Sequence, residues 1–206
     1  MLVKICGLRT VEHALAAASA DMLGLVFAPS RRQVSVEQAA TIAAALRARG
    51  APAPRLVGLF VNASPASIIT VASAVGLDLV QLSGDEPPED ADALSLPVIK
   101  AVRMDGSARE TAWIRRAASG ELTLLVDAHV PGAYGGTGVR ADWQRAAELA
   151  ATTPLILAGG LTPANVATAI SAVRPLGVDV SSGVETDGHK DPAKIEAFLE
   201  AARSAR

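Results

Sequence analysis

Eight short runs of almost unbroken apolar residues punctuate the chain, at 2–6, 22–27, 55–62, 77–82, 97–102, 122–127, 154–158 and 178–181. A strand with one wet face alternates apolar and polar side chains. A strand buried on both faces does not, and such strands belong to parallel sheets. Between the runs lie longer, alanine-rich amphipathic stretches with helical periodicity, at 11–20, 36–49, 65–75, 88–94, 107–118, 142–150, 163–173 and 192–205. Three of them open on helix-start signals: Ser35 ahead of Val36-Glu37-Gln38, Ser64 ahead of Pro65, and Thr162 ahead of Pro163. The pattern predicts eight strands and eight helices in strict alternation.

Strict alternation folds into a parallel sheet with right-handed crossovers. Eight units predict a closed (β/α)8 barrel in a single domain spanning residues 1–206. The rival is an open, doubly wound sheet. The barrel sits near the lower size limit of about 200 residues for that architecture, so its loops must be short. Glycine placement separates the two. A dinucleotide-binding open sheet carries Gly-x-Gly-x-x-Gly after its first strand, whereas Cys6-Gly7-Leu8-Arg9-Thr10 holds one glycine. Glycines gather instead after the later strands, as Gly135-Gly136-Thr137-Gly138, Gly159-Gly160 and Ser182-Gly183. Barrels commonly bind phosphate with the loops after strands seven and eight and a short extra helix. Gly159, Gly160, Ser182 and Gly183 occupy those loops, and 183–186 is the expected short helix.

Composition narrows the function. Hydrophobic residues make up 50 % and charged residues 19 %, enough for a large core and too little charge for disorder. The net charge of −2 offers no bulk attraction to nucleic acid, and 3 % aromatics leave little for base stacking. No apolar run approaches the ~18 residues of a membrane span, and Lys4, Arg9, Glu12 and His13 interrupt any signal-peptide core. The single cysteine excludes an intramolecular disulfide and a cysteine-cluster metal site. A cytoplasmic protein without cofactor, metal, nucleic-acid or membrane partner is the expectation, as a monomer or weak homodimer. In such a compartment the Asn62-Ala63-Ser64 triplet is not a glycosylation site.

In a barrel the chemistry sits where strands end. Cys6 follows strand one; as thiolate it is a base or nucleophile, and otherwise a small buried hydrophobe. Asp127 ends an apolar run, where partial desolvation suits a general acid, unless it caps the next loop. Arg32 presents a planar fork to a carboxylate or phosphate, or forms a solvated pair with Arg31. Asp179, inside an apolar strand, faces the mouth or pairs with a lysine such as Lys4. Ser30, Asn62, Ser83, Asp85, Arg103 and Ser181 complete the polar set at strand ends. His13, His129 and His189 lack metal-ligand spacing and read as surface residues. An acid, a candidate thiolate, an anion-binding arginine and a phosphate cradle point to cofactor-free acid–base chemistry on a phosphorylated metabolite.

These segments resemble the phosphoribosylanthranilate isomerase family from end to end. The likeness is carried by Lys4-Ile5-Cys6-Gly7, Pro29-Ser30-Arg31-Arg32, Val57-Gly58-Leu59-Phe60-Val61-Asn62, Val80-Gln81-Leu82, Gly84-Asp85-Glu86, Leu125-Val126-Asp127 and Tyr134-Gly135-Gly136-Thr137-Gly138. It continues through Asp142-Trp143, Leu157-Ala158-Gly159-Gly160-Leu161 and Asp179-Val180-Ser181-Ser182-Gly183-Val184-Glu185. The resemblance implies a (β/α)8 barrel catalysing an Amadori rearrangement in tryptophan synthesis. Cys6 is then the general base and Asp127 the general acid. Arg32 is expected at the anthranilate carboxylate, Asp179 beside the substrate, and Gly159, Gly160, Ser182 and Gly183 at the phosphate. The chain departs from the family with Ser83 where histidine is usual and Ala141 where phenylalanine is usual. Two rivals remain: an isomerase shared by histidine and tryptophan synthesis, and a non-catalytic phosphate-binding subunit.

Overall fold

A computed structural model describes residues 1–50, 52–127 and 142–205. Eight parallel strands close on themselves in chain order: β1 (Leu2–Cys6), β2 (Met22–Val26), β3 (Arg55–Phe60), β4 (Leu79–Leu82), β5 (Val98–Val102), β6 (Thr123–Val126), β7 (Leu155–Leu157) and β8 (Gly177–Val180). The closing seam pairs β1 with β8, setting Lys4 opposite Asp179. The near-continuous apolar runs now have their reason. Met22, Val57, Leu79, Ile99, Leu125 and Ile156 fill the barrel lumen. Alternate residues, Val3, Ile5, Leu23 and Leu25 among them, point outward under the helical layer.

That layer holds α1 (Val11–Ala16), α2 (Val36–Ala48), α3 (Pro65–Val75), α4 (Ala108–Ala118), α5 (Trp143–Ala150), α6 (Val166–Val173) and α7 (Pro192–Ser204). Two caps form as the sequence predicts. Ser35 makes a reciprocal capping box with Gln38, and the Ser64 side chain accepts from Ser67 N with Pro65 in the first turn.

Three local expectations are corrected. The helix expected at 88–94 is a 3-10 helix, Pro88–Ala93. Its sequence, Pro-Glu-Asp-Ala-Asp-Ala, has no apolar stripe, and none of its residues is buried. The helix expected from 163 begins at Val166, because the Asn165 side chain is turned back onto Gly160 O and Thr162 N. Where a short helix is expected at 183–186, directly after β8, a single 3-10 turn forms at Ser182–Val184. A hairpin follows, β9 (Glu185–Thr186) with β10 (His189–Lys190). Its two turn residues, Asp187 and Gly188, have φ of 50° and 79°, both positive as a tight hairpin of matching twist requires.

Candidate active site

The C-terminal ends of the strands open into a cavity of about 570 Å3, a volume suited to a small metabolite. All eight residues singled out from the sequence line it: Cys6, Arg32, Asp127, Gly159, Gly160, Asp179, Ser182 and Gly183. Cys6 ends β1 and Asp127 follows β6, so the two stand on different walls of one mouth. Gly183 brings two loops together. A Cβ there would run into the carbonyl oxygen of Leu161, so only glycine lets the turn after β8 lie against the loop after β7. The expected glycine-rich loop at 135–138, with His129 and Ala141, lies outside the described residues.

Cys6 is buried and free of disulfide. Burial pushes its thiol above the ordinary value, while the nearby Lys4 and Lys190 ammoniums pull the other way. Lys4 is fully buried beneath it and donates to Asp179 Oδ1 at 2.8 Å. Both readings of Asp179 therefore hold: it faces the mouth and pairs with Lys4. Burial alone would lower the Lys4 pKa, but Asp179, then Cys6, hold it above its usual range. A lysine held this firmly as a cation is no Schiff-base nucleophile. Lys100, the other lysine on a barrel strand, faces away from the lumen, donating to Glu86 Oε2 at 2.5 Å and Gly84 O at 2.7 Å.

Arg32 is buried, not a solvated surface pair with Arg31. Its fork grips Glu185 in two parallel bonds, Nε to Oε1 at 2.7 Å and Nη2 to Oε2 at 2.9 Å. Lys190 Nζ also donates to Glu185 Oε1, at 2.9 Å, and to Ser181 O at 2.8 Å. Sequence reasoning missed Glu185 and Lys190 as site residues. The Asp187-Gly188 turn was the available signal, since it folds Lys190 back beside Glu185. It also missed Gln81, an amide in an otherwise apolar strand. Gln81 lines the cavity and donates from Nε2 to Ser83 Oγ at 3.0 Å. Ser83 O in turn accepts from Arg103 Nη2 at 2.9 Å. His13 and His189 stand outside the cavity lining, and among the described residues no group of His, Cys, Asp or Glu is placed to hold a metal ion.

An acid, a thiol flanked by cations, and loops after β7 and β8 thus share one mouth. The profile of the N-(5′-phosphoribosyl)anthranilate isomerase family matches residues 3–201. An N-(5′-phosphoribosyl)anthranilate isomerase of Roseiflexus castenholzii is 62 % identical, over 100 % of this chain and 99 % of its own. The crystal structure of phosphoribosyl anthranilate isomerase from Thermus thermophilus superposes with a TM-score of 0.85 at 37 % identity, over 100 % of both chains. A phosphoribosyl anthranilate isomerase in complex with reduced 1-(o-carboxyphenylamino)-1-deoxyribulose 5-phosphate superposes at 0.83 with 37 % identity, over 98 % of each chain.

Proposed function

The chain belongs to the N-(5′-phosphoribosyl)anthranilate isomerase family, and from that membership we propose that Cys6 and Asp127 are the base and acid of its reaction. The enzyme converts N-(5-phosphoribosyl)anthranilate to 1-(2-carboxyphenylamino)-1-deoxyribulose 5-phosphate in tryptophan biosynthesis, an Amadori rearrangement. Asp127 gives its proton to the furanose ring oxygen, and the C1–O bond breaks to leave an iminium between C1 and the anthranilate nitrogen. Cys6 takes the C2 proton, and the electron pair moves into the iminium to give an enolamine. Tautomerisation yields the ketone. The iminium is the electron sink, so the reaction requires no cofactor. Lys4 and Lys190 favour the thiolate that the second step needs.

Arg32, fixed by Glu185, faces the anthranilate carboxylate, and Asp179 stands beside the sugar. The phosphate lies at Gly159, Gly160, Ser182 and Gly183. The first N–H groups of a helical turn lack intrahelical acceptors, and Ser182 and Gly183 open such a turn. The chain acts as one barrel domain in the cytoplasm, where its free buried thiol stays reduced. It works as a monomer or weak homodimer; one similar enzyme, from Thermotoga maritima, is described as dimeric.

The observation that carries the assignment is the convergence of Cys6 and Asp127 on one cavity from β1 and β6. Turnover is followed as loss of phosphoribosylanthranilate fluorescence. Cys6→Ser and Asp127→Asn keep shape but remove the working proton chemistry. Each lowers kcat by roughly 10²–10⁴ or more with little change in KM or melting temperature. A packed core thiol gives the reverse, a stability loss with kcat intact. A Cys6→Ser kcat within about twofold of wild type would eliminate Cys6 as the base.

A further inference from the structure

β2 carries a glycine at a position that faces the barrel interior. Met22 fills the lumen and Val26 lines the catalytic cavity. Side chains alternate along a strand, so position 24, between them, points inward as well. Gly24 lies directly opposite Cys6 in the β1–β2 ladder and opposite Val57 in the β2–β3 ladder. The layer that holds the candidate base therefore runs thiol, gap, valine. Backbone conformation does not call for glycine here, because Gly24 lies within β2 and has no positive φ. Glycine weakens a strand interior, and one kept there marks a close approach by something else. At Gly24 the close approach is by the thiol. A β-carbon on Gly24 would stand 2.7 Å from Cys6 Sγ, 3.1 Å from its Cα and 3.2 Å from its Cβ. Non-bonded carbons rest at about 3.5–4.0 Å, and sulfur is larger than carbon.

We propose that Gly24 is a positioning residue for the reaction: the space left by its missing side chain seats the Cys6 thiol in the rotamer that meets the substrate's C2 proton. This rests on the reading of Cys6 as the base. The backbone of Gly24 acts on the same segment. Its carbonyl accepts from Gly7 N at 2.9 Å and from Leu8 N at 3.2 Å, which pins the chain just after Cys6. With the main chain held, the thiol keeps one torsion, and the gap on β2 decides where the sulfur rests. A methyl group at position 24 closes that gap. The sulfur then leaves by rotation about Cα–Cβ, and the next staggered well is about 120° away. Misplacement of a reacting group by about 1 Å costs about 100-fold in rate. Gly24 is not among the residues that line the cavity, so the contacts that hold substrate stay as they are.

The test is Gly24→Ala, made alone and in a Cys6→Ala background, with Gly58→Ala as the control. Gly58 is the outward-facing glycine of β3. A β-carbon there would press on Leu77 Cδ1 and Phe60 Cε2, away from the cavity lining. Melting temperature, kcat, KM and the affinity for reduced 1-(o-carboxyphenylamino)-1-deoxyribulose 5-phosphate are measured for each folded variant. Gly24→Ala lowers kcat by about 10–100-fold and leaves KM and analogue affinity within about threefold of wild type. Gly58→Ala lowers the melting temperature and leaves kcat within about twofold of wild type. In the Cys6→Ala background the sulfur is gone. Adding Gly24→Ala there lowers residual turnover no further, and it lowers the melting temperature less than in the wild-type background. Three results overturn the proposal: a Gly24→Ala kcat within about twofold of wild type, a loss carried by KM instead of kcat, or a melting-temperature loss equal in both backgrounds, failure of both to fold included. Cys6→Ser keeps the two readings apart. Full activity in Cys6→Ser overturns Cys6 as the base and this inference with it, whereas an inactive Cys6→Ser beside an active Gly24→Ala overturns this inference alone.

Discussion

At the scale of single residues, the site is governed by what surrounds Cys6. Burial raises the thiol, Lys4 beneath it lowers it, and Asp179 raises it again. Asp179 does this while holding the same ammonium that would steady a thiolate, at 2.8 Å. Replacing it by asparagine frees Lys4 to serve Cys6 alone, and the buried lysine then finds its counter-charge in the thiolate. The Cys6 pKa therefore falls in Asp179→Asn. The chain has one cysteine, so the pH dependence of its alkylation by iodoacetamide reports this group without ambiguity. Wild type has a midpoint above the ordinary ~8.5 of a free thiol, and Asp179→Asn has a lower one. An unchanged or higher midpoint would contradict this coupling. The sequence shows Cys6, Asp127, Arg32 and Asp179 because each follows or interrupts an apolar strand, where a barrel keeps its chemistry. It does not show that Glu185 holds Arg32, a contact across 153 positions of chain. Nor does it show that Gln81 faces the lumen, since in a strand buried on both faces no alternation marks the inner side.

At the scale of elements, the β9–β10 hairpin is the piece that pattern reading lost. Two strands of two residues each carry no usable period, and a short helix at 183–186 was the expectation. The hairpin matters because Glu185 collects Arg31, Arg32 and Lys190. Burial pushes the Glu185 carboxyl up, but Arg32 and Lys190 pull it further down, to about 2. A carboxylate whose pKa is depressed in the folded state contributes stability above its unfolded value, near 4.3, and loses that contribution as pH falls towards 2. Glu185→Gln is accordingly less stable than wild type at pH 7. The difference in urea midpoint narrows through the window between about 4.5 and 2. A difference independent of pH would show that the charge of Glu185 contributes nothing. The lost helix at 88–94 has a simpler origin: proline and acidic residues start a helix but supply no face to bury, so the segment stops at a 3-10 turn.

At the scale of the whole molecule, closure is what brings Cys6, Arg32, Asp127 and Asp179 to one mouth. β1 and β8 are consecutive neighbours only through the seam. Strand count, parallel direction and the alternating helices, except the one expected after β4, were legible in the sequence, because apolar runs buried on both faces require a helical outer layer. The seam is sealed from outside by α7, which packs against β1, α1 and α6. Its Ile195, Phe198 and Ala202 are fully buried in the layer between helices and barrel. Phe198→Ala removes an aromatic ring from that layer and leaves a cavity that rigid neighbours cannot close, at about 3–5 kcal/mol. For a domain of this size the melting temperature falls by roughly 6–20 °C. No cavity-lining residue belongs to α7. The variant, assayed well below its melting temperature, therefore keeps kcat and KM within about twofold of wild type. Thermal unfolding and kinetics measured on the same preparation check both halves. A large loss of kcat in fully folded protein would mean that α7 sets the geometry of the mouth as well as the stability of the seam.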